Sequence, residues 1–98
     1  MIAYMVITAQ ITDPVKFANY GKSAAPLVNK FGGTYEVMRP SQDLLLEGDI
    51  KPDTKLVISK WPSVDSALNF WHSPEYSEVK KLRDNAATVT VRLVEATN

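Results

Sequence analysis

The sequence predicts an α+β domain, a ferredoxin-like βαββαβ sandwich in which a four-stranded antiparallel sheet carries helices on one face. Three observations lead there. Apolar and β-branched stretches from Ala3 to Ile11, Thr34 to Pro40, Lys55 to Trp61 and Ala87 to Glu95 read as strands. Helix-start chemistry follows the first and the third of them. The chain has 98 residues, which suits a single domain over 1–98 with one small core.

The stretch from Ala3 to Ile11 carries few strongly polar residues, which predicts burial on both faces and a central place in the sheet. Thr12-Asp13-Pro14 then supplies a capping oxygen and a proline for the first helical turn. Phe17, Tyr20, Ala24, Leu27 or Val28, and Phe31 recur at helical spacing, and Pro26 inside that pattern predicts a kink. Gly32-Gly33 ends the helix, because glycine accepts the left-handed backbone that closes one. In the second strand Thr34, Glu36 and Met38 alternate with Tyr35, Val37 and Arg39. Leu44-Leu45-Leu46 is a candidate short strand, and Glu47-Gly48-Asp49 and Lys51-Pro52-Asp53 carry turn chemistry.

The stretch from Trp61 to Tyr76 holds both tryptophans and the only histidine. Ser63 can cap one helix, with Asp65 placing negative charge in its first turn. Ser73 can cap another, with Pro74 at the first helical position and Glu75 just inside. Val64, Ala67, Leu68 and Trp71 recur on one face between the caps, and the two helices are expected to run to about Asn85. The final strand sets Val89, Val91 and Leu93 against Thr88, Thr90, Arg92 and Val94.

In this topology the first and third strands are central and one face of the sheet stays uncovered. Alternation puts Met5, Ile7, Ala9, Val57, Trp61, Val89, Val91 and Leu93 under the helices. The open face then presents Tyr4, Val6, Thr8, Gln10, Glu36, Met38, Leu56, Ile58, Lys60, Thr90, Arg92 and Val94. Large apolar side chains with scattered charges suit a partner surface, and a second copy of the chain is the expected partner.

Composition narrows the function classes. Hydrophobic content of 45% and charged content of 22% are ordinary for a soluble domain. Eleven basic residues balance eleven acidic ones and form no stripe, so nucleic acid is not an expected partner. Cysteine is absent, which removes disulfides, thiolate metal sites and a cysteine nucleophile. The apolar run from Met1 to Ile11 has no basic leader or cleavage site and is too short to span a membrane, so a cytoplasmic protein is expected.

The aromatic-Pro-Ser of Trp61 to Ser63, followed by Ala67-Leu68-Asn69-Phe70-Trp71-His72 and Ser73-Pro74-Glu75-Tyr76, resembles a known family. Asp13-Pro14, Tyr20, Phe31-Gly32-Gly33 and Glu47-Gly48 match it in the same order. The chain is similar over nearly its whole length to the bacterial domain-of-unknown-function 1330 family, part of the dimeric α/β-barrel superfamily. The resemblance implies homodimers whose sheets face each other. Related families include cofactor-free monooxygenases, muconolactone isomerases and haem-binding chlorite dismutases, so it implies no single activity. Lys60 departs from the pattern, standing where an acidic residue is expected.

His72 is the candidate catalytic residue, a lone imidazole able to act as general base, with a structural hydrogen bond as the alternative reading. Without cysteine or a second histidine no metal site is expected. Tyr4, Thr8, Glu75 and Arg92 are the candidate ligand-binding residues. Tyr4 offers a proton-transfer group, Thr8 and Arg92 are polar groups of the open face, and Glu75 lies with His72 at the break between two helices. Glu75 and Tyr76 can be read as an acid–phenol pair, and Arg92 with Glu36 as groups that bind an anionic substrate. The competing reading gives Glu75 to the helix dipole, packs the Tyr76 ring inward with Val79, and pairs Arg92 or Glu36 across strands or subunits. Phe17, Tyr20, Phe31, Trp61 and Trp71 read as core. No phosphate loop, nucleophile elbow or acidic metal cluster appears, and no cofactor is expected. The expected function is binding of a small organic molecule in a pocket near the sheet. The alternative is a cofactor-free monooxygenase- or isomerase-like enzyme using His72 for proton transfer.

Overall fold

The computed structural model describes residues 1–97; Asn98, the last residue of the expected domain, lies outside them. The chain forms β1 (Ala3–Ile11), α1 (Pro14–Lys30), β2 (Thr34–Val37), β3 (Thr54–Trp61), α2 (Val64–Trp71), α3 (Pro74–Lys80), a 3₁₀ turn (Lys81–Arg83) and β4 (Ala87–Glu95). The sheet is antiparallel throughout, in the order β2-β3-β1-β4, so β1 and β3 are central as expected.

Local chemistry accounts for the helix ends. The Asp13 carboxylate accepts from the Lys16 N–H at 3.1 Å, with Pro14 opening α1. The helix continues through Pro26 to Lys30, so the proline costs a backbone hydrogen bond without ending it. Its C-terminus closes with Gly32 at φ +95°. There the Gly32 N–H donates to the Asn29 carbonyl and the Gly33 N–H to the Val28 carbonyl, the paired bonds of a Schellman close. Ser63 accepts from the Ser66 N–H and Ser73 from the Tyr76 N–H, each at 3.1 Å. Ser73 also donates its hydroxyl to the Phe70 carbonyl at 2.8 Å. One buried serine thereby ties the end of α2 to the start of α3.

Register fixes the two faces. Ala3, Met5, Ile7 and Ala9 lie opposite Trp61, Ser59, Val57 and Lys55 on one side and Glu95, Leu93, Val91 and Val89 on the other. That is the face beneath the helices. The outer face carries Tyr4, Val6, Thr8 and Gln10, flanked by Lys60, Ile58, Leu56 and Thr54 and by Val94, Arg92, Thr90 and Thr88.

Five details differ from the sequence expectation. β2 stops at Val37 rather than Pro40, and its pairing shifts by one residue between Tyr35 and Val37. The bulge leaves Glu36 and Val37 together on the outer side, with Glu36 Oε1 3.9 Å from Lys60 Nζ. Met38, expected on the open face, consequently turns toward the space under the helices. Leu44-Leu45-Leu46 pairs with no strand and belongs to an irregular segment with positive φ at Gly48 and Asp53. On α2 the buried stripe uses Phe70, while Leu68 is exposed. The second helical region ends at Arg83, ahead of Asn85, whose φ of +61° starts the turn into β4.

The core is densest where α2 crosses the sheet. Ala3, Met5, Val28, Trp61, Ala67, Phe70 and Tyr76 form one buried cluster. Trp61 lies between sheet and helix as expected, 1% exposed, with its ring 5.1 Å from that of Phe70. Its Nε1–H donates to the Ser59 hydroxyl at 2.9 Å, which satisfies two buried polar groups at once. Gly33 closes the cluster, because a Cβ there would stand 2.8 Å from the Trp61 ring.

Candidate functional site

The space between helices and sheet is filled around Trp61 but not around Tyr20. Beyond the aromatic cluster, α1, α3, the 3₁₀ turn and the middle of the sheet leave a cleft of about 70 Å³. Ile7, Val57, Val89 and Val91 of the sheet form its apolar floor, and Phe17, Tyr20, Gly21 and Ala24 of α1 form one wall. Tyr35 and Met38 close it from the β2 edge, and Tyr76 and Arg83 from α3 and the turn behind it. A larger depression, about 250 Å³, lies where β2 leads into the following loop. It is lined by the exposed side chains of Arg39, Asp43 and Lys55 together with Thr54 and Leu56, and no buried polar group faces it. The smaller cleft is the better site, because its polar groups are partly buried and converge.

Tyr76 stands at the boundary between packed core and cleft. Its ring lies 4.4 Å from Phe70 and 5.4 Å from Trp71, and the residue is 2% exposed. Its hydroxyl reaches the Tyr20 hydroxyl at 2.7 Å, bringing α1 and α3 together across 56 positions of sequence. The Arg83 guanidinium lies over the Tyr20 ring, 5.5 Å from its centroid. Arg83 Nε is buried and, among the described residues, is the one buried side-chain polar atom without a hydrogen-bond partner.

The electrostatics keep the Tyr20 and Tyr35 phenols neutral. Tyr20 is pushed well above the ordinary phenol range, first by burial and then by the adjoining Tyr76 hydroxyl, with the Arg83 charge opposing. Burial, followed by Tyr76, raises Tyr35 as well. A tyrosine in this state is a hydrogen-bond donor or acceptor at neutral pH and a poor base.

The residues expected from sequence fall into two groups on opposite sides of the sheet. Tyr4, Thr8 and Arg92 share the outer face: Arg92 lies opposite Val6, midway between Tyr4 and Thr8 along β1. His72 and Glu75 belong to the helical layer. His72 caps the C-terminus of α2 through its backbone N–H, is exposed, and does not line the cleft. Glu75 meets Lys30 across the surface, Oε2 to Nζ 3.0 Å, and this hydrogen bond holds its carboxyl below the usual range. The N-terminus of α3 beside them is already served by Ser73.

Tyr35, Met38 and Arg83 are not site candidates in the sequence, and Tyr20 reads there as core. For Tyr76 the sequence leaves packing and an acid–phenol pairing with Glu75 side by side; in the structure its hydroxyl meets Tyr20, and Glu75 meets Lys30 instead. One signal was available: Tyr76, Val79 or Lys80, and Arg83 recur at helical spacing, which places a cation on the inward stripe. Among the described residues no group of three or more His, Cys, Asp or Glu could hold a metal ion, and no helix is long and apolar enough to cross a membrane.

Comparison with solved structures gives the same architecture repeatedly. A Rhodopseudomonas palustris protein of unknown function, RPA0582, superposes with a TM-score of 0.73 at 22% identity, covering 99% of this chain and 83% of that one. SnoaB, a cofactor-independent oxygenase from Streptomyces nogalater, superposes with a TM-score of 0.71 at 14% identity, covering 99% and 94%. An Arabidopsis thaliana protein, At3g17210, gives 0.71 at 19% identity, covering 98% and 96%. At such identities the likeness is one of fold. No curated protein matches the sequence closely enough to count as a relative. The profile of one sequence family does match, over residues 2–97, and the chain belongs to it: the domain-of-unknown-function family DUF1330.

Proposed function

We propose that this chain works as a cytoplasmic homodimer, each copy binding a small organic molecule in the cleft between α1, α3 and the sheet. The observation that carries the reading is the Tyr20–Tyr76 hydroxyl pair at the side of an otherwise apolar cleft. An apolar body gains from burial against Ile7, Val57 and Val91, while the phenols fix the orientation of an oxygen or nitrogen on the ligand. Fragment screening by ¹H–¹³C methyl NMR tests this, because Met38, Ile7, Val57 and Val91 report on the cleft directly. Small phenols and carboxylates should move those methyl signals together. Shifts confined to the His72 and Glu75 surface, or to the outer sheet face, would rule the cleft out.

The dimer half of the proposal rests on the outer face, where Tyr4, Val6, Leu56 and Ile58 lie partly exposed beside Val94. A domain of this size gains stability by covering such a face with its own copy. Analytical ultracentrifugation should give a dimer at micromolar concentration; a monomer there would remove this part.

A second reading is consistent with the same hydroxyl pair and with the fold shared with a cofactor-independent oxygenase. In it the pair holds a developing enolate-like oxygen by donating a hydrogen bond, and His72, exposed at the end of α2, is the alternative group, acting by proton transfer. Turnover that survives His72→Ala but falls at least tenfold in Tyr76→Phe would support the tyrosine route. The reverse pattern would return the chemistry to His72.

A further inference from the structure

Resting on the proposed cleft, we infer that its ligand is an organic anion, an apolar body ending in a carboxylate or a comparable oxyanion that docks between Arg83 and the Tyr20–Tyr76 pair. The argument is a count of donors and acceptors. Arg83 is the only charged side chain lining the cleft among the described residues, and it forms no ion pair with any described carboxylate. An arginine side chain offers donors alone, and the buried Nε–H here has no protein acceptor. Two hydroxyls joined by one hydrogen bond use one of their two protons, so the pair keeps a second O–H free to donate. The polar end of the cleft is therefore rich in donors and positively charged, with no carboxylate to neutralise it.

A neutral ligand leaves that charge partly desolvated with only the Tyr20 ring against it, whereas an anion supplies acceptors for both donors at once. Size limits the body of the ligand. The enclosed volume is about half of the roughly 150 Å³ dry cavity known to admit benzene, so a single ring or branched chain fits only with part of it in the cleft mouth.

Two isosteric pairs test the inference, benzoate against benzamide and 3-methylbutanoate against 3-methylbutanamide, titrated at neutral pH into ¹⁵N- and methyl-labelled protein. Each acid should bind about tenfold or more tightly than its amide, the preference expected of a charge-assisted hydrogen bond. Each acid should also move the Arg83 Nε–H signal together with the Met38 and Val91 methyls. Arg83→Met, which keeps the apolar stem, should bring acid and amide to equal affinity, while Arg83→Lys should keep part of the preference. If Arg83→Met fails to fold, the wild-type ratio and the Nε–H shift decide alone. Amides binding the cleft as tightly as acids would overturn the inference and leave the cleft standing. Acids that shift only surface lysines would overturn it too, and cleft signals unmoved by all four compounds would take the cleft proposal down with it.

Discussion

At the Trp61 end of the interlayer space, the indole, Phe70, Ala67 and Gly33 pack without a gap, and the one polar demand, the indole N–H, is met by Ser59. At the Tyr20 end the same two layers stand apart, three tyrosines and an arginine face inward, and one arginine nitrogen has no partner. A core that only needed burial would have filled the second end like the first. The difference is one of packing: Ala67 and Phe70 of α2 close one end of the layer, while α1, α3 and the 3₁₀ turn leave the cleft at the other.

Substitutions can break that contrast, and the largest effect belongs to the packed end. Trp61→Ala should cost about 3–5 kcal/mol through lost burial and the cavity left behind, read as a lower denaturation midpoint at unchanged slope. An unchanged midpoint would mean that this end is not the stabilising one. Gly33→Ala should follow at about 1–3 kcal/mol, since its methyl must enter space the Trp61 ring occupies. Near-neutral behaviour would mean the indole has room to yield.

The cleft end should respond more weakly. Tyr76→Phe removes the inter-helix hydrogen bond but keeps the ring on Phe70, for a loss of about 0.5–1.5 kcal/mol. Gly21→Ala should act in the opposite direction. A Cβ at Gly21 meets nothing within 4 Å, so alanine in mid-helix should stabilise by about 0.5–1 kcal/mol. The two glycines thus make a paired test, destabilising at the packed end and stabilising at the open one. Equal signs would erase the contrast.

Titration sharpens it further. Tyr20 and Tyr35 both hold their protons above the ordinary phenol range, so their folded values exceed the unfolded ones. Their contribution to stability is complete below about pH 10, the unfolded value, and is lost as pH rises from there through the folded values. Ultraviolet titration should find Tyr20 and Tyr35 ionising late, and Tyr20→Phe should reduce the alkaline loss of stability. The smallest effect belongs to the exposed Lys30–Glu75 pair. Its lowered carboxyl contributes above the unfolded value and loses that contribution as pH falls through the folded one. Screening at the surface should leave Glu75→Gln close to wild type in a melt at neutral pH.

Local chemistry was legible in the sequence wherever a few neighbouring residues decide the outcome. Asp13 and Pro14 start α1, Gly32 closes it, and Ser63 and Ser73 open two helices, each because the capping group lies within a few residues of what it caps. β1 and β4 read correctly to the residue, since unbroken alternation marks a strand paired along its length. β2 did not, because a bulge is decided by the neighbouring strand, and the one-residue shift opposite Ile58 sent Met38 to the other face. The cleft was hidden for a related reason. Tyr20, Tyr35, Tyr76 and Arg83 come from separate elements, and each taken alone fits an amphipathic pattern as packing or surface. Whether a tyrosine packs in the core or lines a cleft depends on what stands across from it, and the closure of α1 and α3 over the sheet decides that at long range.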